Sequence, residues 1–247
     1  MATVKDIYNF IDSIAPFESQ EEWDNSGLLV GNENNEVTSI LFALDATTDI
    51  VEQAIEYGAD LVVTHHPVIF KPVSNVLNDS VIYKLINNGI SIICAHTNYD
   101  KAVGGVNDIL CNTIGLNSYI KIDDTCLNIG KYDGPVSVDA FINTVKRTLD
   151  CTVRYNKINK EIRNIAVCSG SGSDYLDMAK EFDCDALLTG DASHHAFLDA
   201  NEMGMLLVAA GHFETENISI MPLAEKIKRE FNVNCILAKQ NSPIMAI

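Results

Sequence analysis

Short, largely apolar runs recur along the chain at residues 40–44, 61–64, 90–95, 162–168, 186–189, 205–210 and 235–238, each rich in β-branched or aliphatic side chains. Runs without polar alternation predict strands covered on both faces, the pattern of a parallel sheet. Between them apolar residues fall three and four apart, which predicts helices over 49–57, 80–87, 106–114, 138–149, 174–182 and 194–201, with a last one over 218–231. A first helix is predicted over 4–14, where Ile7, Phe10, Ile11 and Ile14 share a face and Ala15-Pro16 stops it. Alternation of strand and helix requires crossover connections, so the fold class expected is α/β with mainly parallel sheets.

The stretch 117–135 breaks this alternation with polar, turn-forming residues and predicts a junction between two lobes, residues 1–120 and 121–247, the last strand being free to return to the first lobe. The lobes read as a pseudo-repeat. Gly58-Ala59-Asp60-Leu61-Val62-Val63-Thr64-His65-His66 lines up with Asp183-Cys184-Asp185-Ala186-Leu187-Leu188-Thr189-Gly190-Asp191. The next strand of each lobe runs into a histidine with an acid four residues on, His96 with Asp100 and His212 with Glu216. Two α/β lobes from one ancestral unit, facing a shared site, are therefore expected.

All six histidines fall at 65, 66, 96, 194, 195 and 212, and four of them follow apolar runs. Ligands of parallel sheets bind beyond the carboxyl ends of the strands, where these histidines stand. Imidazole with carboxylate is the donor set of borderline and hard divalent metals, whereas thiolates would indicate a structural zinc site. The seven cysteines are scattered, odd in number and without a Cys-x-x-Cys pair, which reads as reduced thiols in a cytoplasmic protein. A formal charge of −17, with no basic run denser than Lys226-Ile227-Lys228-Arg229, opposes the phosphate neutralisation on which nucleic-acid binding depends. The N-terminus carries no signal-peptide pattern, and no apolar stretch approaches the ~20 residues of a membrane span.

Specific motifs then narrow the reading. Trp23-Asp24-Asn25-Ser26-Gly27-Leu28-Leu29-Val30-Gly31, Thr64-His65-His66-Pro67-Val68-Ile69-Phe70-Lys71-Pro72, Ala95-His96-Thr97-Asn98-Tyr99-Asp100, Thr189-Gly190-Asp191 and Gly211-His212-Phe213-Glu214-Thr215-Glu216 resemble, in order and across nearly the whole chain, the Nif-three-like family of GTP cyclohydrolase 1 type 2 homologues, in its compact form without an inserted domain. The resemblance implies a dinuclear metal centre with His65, His66, Asp100, His212 and Glu216 as ligands, two divalent ions per subunit (zinc, iron or manganese), and a ring-shaped homohexamer. It also implies a small-molecule substrate, of which a nucleotide is one candidate, with His96 as catalytic proton carrier; Asp24 is read as substrate-binding, and Lys71 either meets an anionic group of the substrate or is solvated. A hydroxide bridging the metals would attack C8 of guanine and formate would leave. Asp100 and Glu216 can bridge two cations, and ions held about 3.5–4 Å apart bring a shared water to hydroxide near neutral pH. His65 and His66 cannot share one face of a regular strand, but at a strand end before Pro67 they can diverge toward two ions. The rival reading is a non-catalytic metal-binding or interaction protein.

Several residues keep two readings. Asp100 is either a ligand or the N-cap of the helix that follows it, and Asp191 is either a site-facing acid or an N-cap. His194 and His195 either line the cavity or begin an exposed helix. Trp23 is expected to be a packing anchor whose loop reaches the site rim. Gly170-Ser171-Gly172-Ser173 reads as a strand-to-helix turn, since it lacks the spacing of a phosphate loop.

Overall fold

A computed structural model describes residues 1–116 and 118–245; Asn117, which opens the segment read as a junction, lies outside them. The chain divides into two compact units, Met1–Val103 with Ser219–Asn241, and Gly104–Ile218 with the segment from Ser242.

In the first unit β1 (Ala2–Thr3) leads into α1 (Val4–Ile14). Thr3 caps the helix by accepting from the Asp6 N–H, while the Asp6 carboxylate accepts from the Thr3 N–H. Each bond satisfies a donor that the first helical turn would leave unpaired. Then follow β2 (Gly27–Val30), β3 (Glu36–Val37), β4 (Ser39–Ala43), α2 (Thr48–Glu56), β5 (Leu61–Thr64), α3 (Val81–Asn87), β6 (Ser91–Cys94) and the short α4 (Thr97–Lys101). Every residue of β4, β5 and β6 is buried, and the three run parallel, as their unbroken apolar runs require. Leu41, Ala43, Val62 and Ile92 pack with Ile50, Val51 and Ala54 of α2 and Leu85 of α3. The strand β2, absent from the sequence reading, adds antiparallel to the β6 edge.

The second unit comprises α5 (Val106–Thr113), β7 (Tyr119–Lys121), β8 (Asn128–Val136), α6 (Val138–Leu149), β9 (Arg154–Tyr155), β10 (Ile162–Val167), α7 (Leu176–Glu181), β11 (Ala186–Thr189), α8 (His194–Met203), β12 (Leu206–Ala209) and α9 (His212–Glu216). Its sheet runs β7-β8-β10-β11-β12-β9. Only β10, β11 and β12 are parallel to one another; the flanking pairings are antiparallel, so this sheet is mixed rather than mainly parallel. Successive strand residues serve opposite faces. Ile165, Val167, Leu188 and Val208 pack with α5 and α6, while Ala166, Leu187 and Leu207 pack with α7 and α8. Much of the segment read as an irregular junction is the antiparallel pair β7 and β8.

After Ile218 the chain re-enters the first unit as α10 (Ile220–Glu230) and β13 (Asn234–Leu237), and β13 lies parallel to β4, giving the order β13-β4-β5-β6-β2. The internal repeat extends to hydrogen bonds. The Asp60 carboxylate accepts the N–H groups of Thr38 and Ser39 where β4 begins, and Asp185 does the same for Arg163 and Asn164 at β10. Among the described residues no helix is long and apolar enough to cross a membrane.

Candidate metal centre

Three imidazoles gather at the carboxyl ends of β5 and β6. The strand β5 stops at Thr64, whose hydroxyl donates to the His66 carbonyl, so side-chain alternation ends before the two histidines. Ring centroids lie 5.2 Å apart for His65 and His66, 5.1 Å for His65 and His96, and 5.5 Å for His66 and His96. One nitrogen from each ring falls within 4.8 Å of the other two, a grouping that could hold a metal ion. Asp100 on α4 brings its Oδ1 to 3.6 Å from His65 Nε2. It is not the cap of the next helix, because Gly105 holds that position.

Each of these rings has Nδ1 committed to an acceptor of the protein. His65 Nδ1 meets the Ala95 carbonyl at 2.8 Å, His66 Nδ1 the Asp45 carboxylate at 2.7 Å, and His96 Nδ1 the Asp24 carboxylate at 2.7 Å. An acceptor at Nδ1 places the ring proton there and leaves the Nε2 lone pair for a cation. Asp24 also accepts from the Thr97 hydroxyl and the N–H groups of Thr97 and Asn25. Burial alone would raise its pKa; the hydrogen bonds from His96, Thr97 and the Asn25 N–H hold it well below the usual carboxylate range. Asp24 thus spends Oδ1 on His96 and the Asn25 N–H and Oδ2 on Thr97 and Ser26. Cys94 donates to the His65 carbonyl, and burial, reinforced by the Asp24 charge, pushes its thiol well up, so it stays a neutral donor beside the imidazoles.

The second unit carries a matching pair. His212 opens α9, with Nδ1 2.8 Å from Asp191 and Nε2 3.1 Å from Glu216 Oε2 one turn on. Glu216 is buried, 3% exposed. Asp191 is therefore a site-facing acid, and the cap of α8 is Ser193. The loops of Gly170 and Gly190 close around this pair. A methyl group on Gly170, whose φ is +57°, would fall 2.1 Å from Glu216 Oε1, and one on Gly190 would fall 2.8 Å from His212 Cα. The Gly170 to Ser173 stretch is the strand-to-helix turn expected, and it is also the wall of the acid's seat.

The repeat aligns with a one-residue offset. The Ala95 N–H reaches the Thr64 carbonyl as the Ala210 N–H reaches Thr189, which matches His96 with Gly211, both of them N-caps, and not with His212. Lys71 is exposed, and of the two readings of His194 and His195 the structure has the exposed start of α8. Trp23 is 59% exposed and so is no packing anchor. Asp45 was not singled out from sequence; its signal is its position just past β4, the strand beside β5.

Imidazole nitrogens and buried carboxylates, with thiols held neutral, make a donor set suited to a divalent cation. The chain is similar to known proteins in sequence and in fold. The chain matches the Duf34/NIF3 (NGG1p interacting factor 3) family over residues 2–243. It is 36% identical to the GTP cyclohydrolase 1 type 2 homolog of Clostridium perfringens, covering 96% of each chain, and 32% identical to the GTP cyclohydrolase 1 type 2 of Helicobacter pylori over the full length of both. Among solved structures it is similar to a hypothetical protein of Staphylococcus aureus, with 28% identity, a TM-score of 0.90 and 99% of each chain covered. It is also similar to reduced HcgD of Methanocaldococcus jannaschii, with 29% identity, a TM-score of 0.84, and 96% of this chain and 97% of the other covered. The chain belongs to the Duf34/NIF3 family.

Proposed function

We propose that this protein is a metal-dependent hydrolase that uses two divalent cations, zinc, iron or manganese, with His65, His66 and Asp100 of the first unit and His212 and Glu216 of the second as ligands. The observation that supports this most is the shared treatment of the three ligand histidines: His65, His66 and His212 all have Nδ1 fixed by a carbonyl or carboxylate, as is usual for metal-binding imidazoles. Bound there, divalent cations would supply Lewis acidity and an activated water. Asp24 holds His96 by Nδ1, so that His96 takes up a proton at Nε2 and returns it to the leaving group. The names of the relatives make a guanine nucleotide the first substrate to test, with ring opening and loss of formate as the reaction. A charge of −17 opposes an approaching triphosphate, which leaves the cations and Lys71 to attract it. The ring-shaped homohexamer is part of the proposal, and sedimentation of the purified protein checks it.

One observation favours a second reading. His96 lies close enough to His65 and His66 to be a third imidazole on one cation, and with Asp100, 3.6 Å from His65 Nε2, as a fourth donor that cation would be enclosed and structural. Formate release from GTP by metal-loaded protein separates the two. The hydrolase reading expects His65→Ala to lose metal and turnover together, and His96→Ala to keep its metal while losing about 10²–10⁴-fold in rate. Loss of metal in His96→Ala favours the enclosed cation; equal rates with and without metal defeat the hydrolase.

A further inference from the structure

Trp23 is the only tryptophan in the chain, and it stands beside Phe70, itself 46% exposed. Their ring centroids are 5.8 Å apart, and both rings meet His96 near edge-on, at 6.1 Å for Trp23 and 6.4 Å for Phe70. Large rings left in water as a contiguous pair, beside a polar cluster, mark a ligand surface more than scattered exposed residues do. The loops that carry them are well tied. The Asn25 side-chain amide donates to the Ile69 carbonyl, which links one loop to the other, and the Ser26 N–H donates to Gln20 Oε1. Asp24, next to Trp23, holds His96 itself, so the two rings and the imidazole are fixed as one group within the first unit.

We propose that Trp23 and Phe70 form a platform on which a planar heteroaromatic ring stacks, with its edge turned to His96. The proposal rests on the hydrolase reading for the role of His96, although the stacking needs no turnover. Stacked rings keep centroids at least about 4.5 Å apart, so a third ring cannot enter between two that are already in contact and lies across an outer face. Aromatic faces favour a flat π-system over an aliphatic group of equal area. Lys71 follows Phe70 directly and is exposed, which suits an anionic substituent on the same ligand. The class of ligand is therefore an anionic heteroaromatic of the nucleotide kind.

The single tryptophan is its own reporter. Metal-loaded protein is titrated with GMP, and with ribose 5-phosphate as the control that lacks the ring, while tryptophan fluorescence is read at wavelengths beyond purine absorption. GMP is expected to quench saturably and ribose 5-phosphate not to, with Phe70→Ala weakening GMP about five- to 150-fold, the worth of one stacked base. Calorimetry on Trp23→Ala and Trp23→Phe, both folded by thermal melting, is expected to show weak binding in the first and recovery in the second. Quenching by both ligands, or GMP affinity unchanged in Phe70→Ala and Trp23→Ala, overturns the platform. Ring-dependent binding without any turnover would instead defeat the hydrolase and leave the platform standing.

Discussion

Replacing Gly190 with alanine adds one methyl group where the second unit has no room for it. The new carbon would lie 2.7 Å from the Gly170 carbonyl oxygen, 2.7 Å from Thr215 Oγ1 and 2.8 Å from His212 Cα. Unstrained carbon contacts sit at about 3.5–4.0 Å, so the backbone at His212 must retreat by close to an ångström. Two of the three neighbours are backbone atoms, and the third is pinned: Thr215 Oγ1 accepts the Gly170 N–H at 3.1 Å and donates to the Gly211 carbonyl at 2.9 Å. Nothing flexible can give way. Overpacking of this kind costs about 1–3 kcal/mol, and at 2–4 °C per kcal/mol for a chain of this size the melting temperature should fall by roughly 2–12 °C. The shift must also carry the His212 ring away from Asp191, so metal content should fall with stability. Gly204→Ala is the control. It forces a residue with a φ of +63° into the left-handed region but meets nothing within 4 Å, so it pays only conformational strain of about 1–2 kcal/mol and should keep its metal. Thermal melts with and without zinc, together with metal analysis of both variants, are the assay. Gly190→Ala retaining metal at wild-type affinity would refute the claim that this close backbone approach places His212.

Three further outcomes are expected. Asp45→Ala and Asp191→Ala each remove the acceptor that fixes a histidine Nδ1, and should weaken metal binding about 10–100-fold in chelator competition while leaving the fold intact. Asp185 has its carboxyl pKa lowered: burial opposes this, but the Lys160 ammonium and the N–H groups of Asn164 and Arg163 prevail. A group depressed in the folded state stabilises above its unfolded pKa of about 3.9 and loses that contribution as pH falls below it. Urea unfolding should therefore show Asp185→Asn less stable than wild type at neutral pH, with the gap closing as pH drops below about 4; a gap that widens in acid contradicts this.

How much of this was legible beforehand follows from what each element depends on. The strands Leu61–Thr64 and Ala186–Thr189 carry their burial in their own composition, and both were read with their observed ends. The strand Asn128–Val136 does not. Glycines at 130 and 134 and exposed polar residues hide it, and it exists because β7 and β10 supply partners on both sides. The five-residue helices after β6 and β12 are too short for any periodicity to show. Residue types located the histidines and acids, but the pairing of His96 with His212 failed by one residue, because only the hydrogen-bond register reveals that Gly211 occupies the place of His96. The acceptors Asp45 and Ala95 were invisible for the same reason: what they contribute is position, and a carbonyl has no sequence signature.

Metal content measured by elemental analysis on purified, metal-reconstituted protein, alongside single alanine variants of His65, His66, Asp100, His212 and Glu216, tests the two-cation centre most directly. The expected result is two divalent ions per chain in the wild type and a loss in each variant, with those at Asp100 and Glu216 lowering content as surely as those at the histidines. A wild type that binds no stoichiometric metal, or five variants that all retain it, would contradict the centre and the hydrolase chemistry built on it.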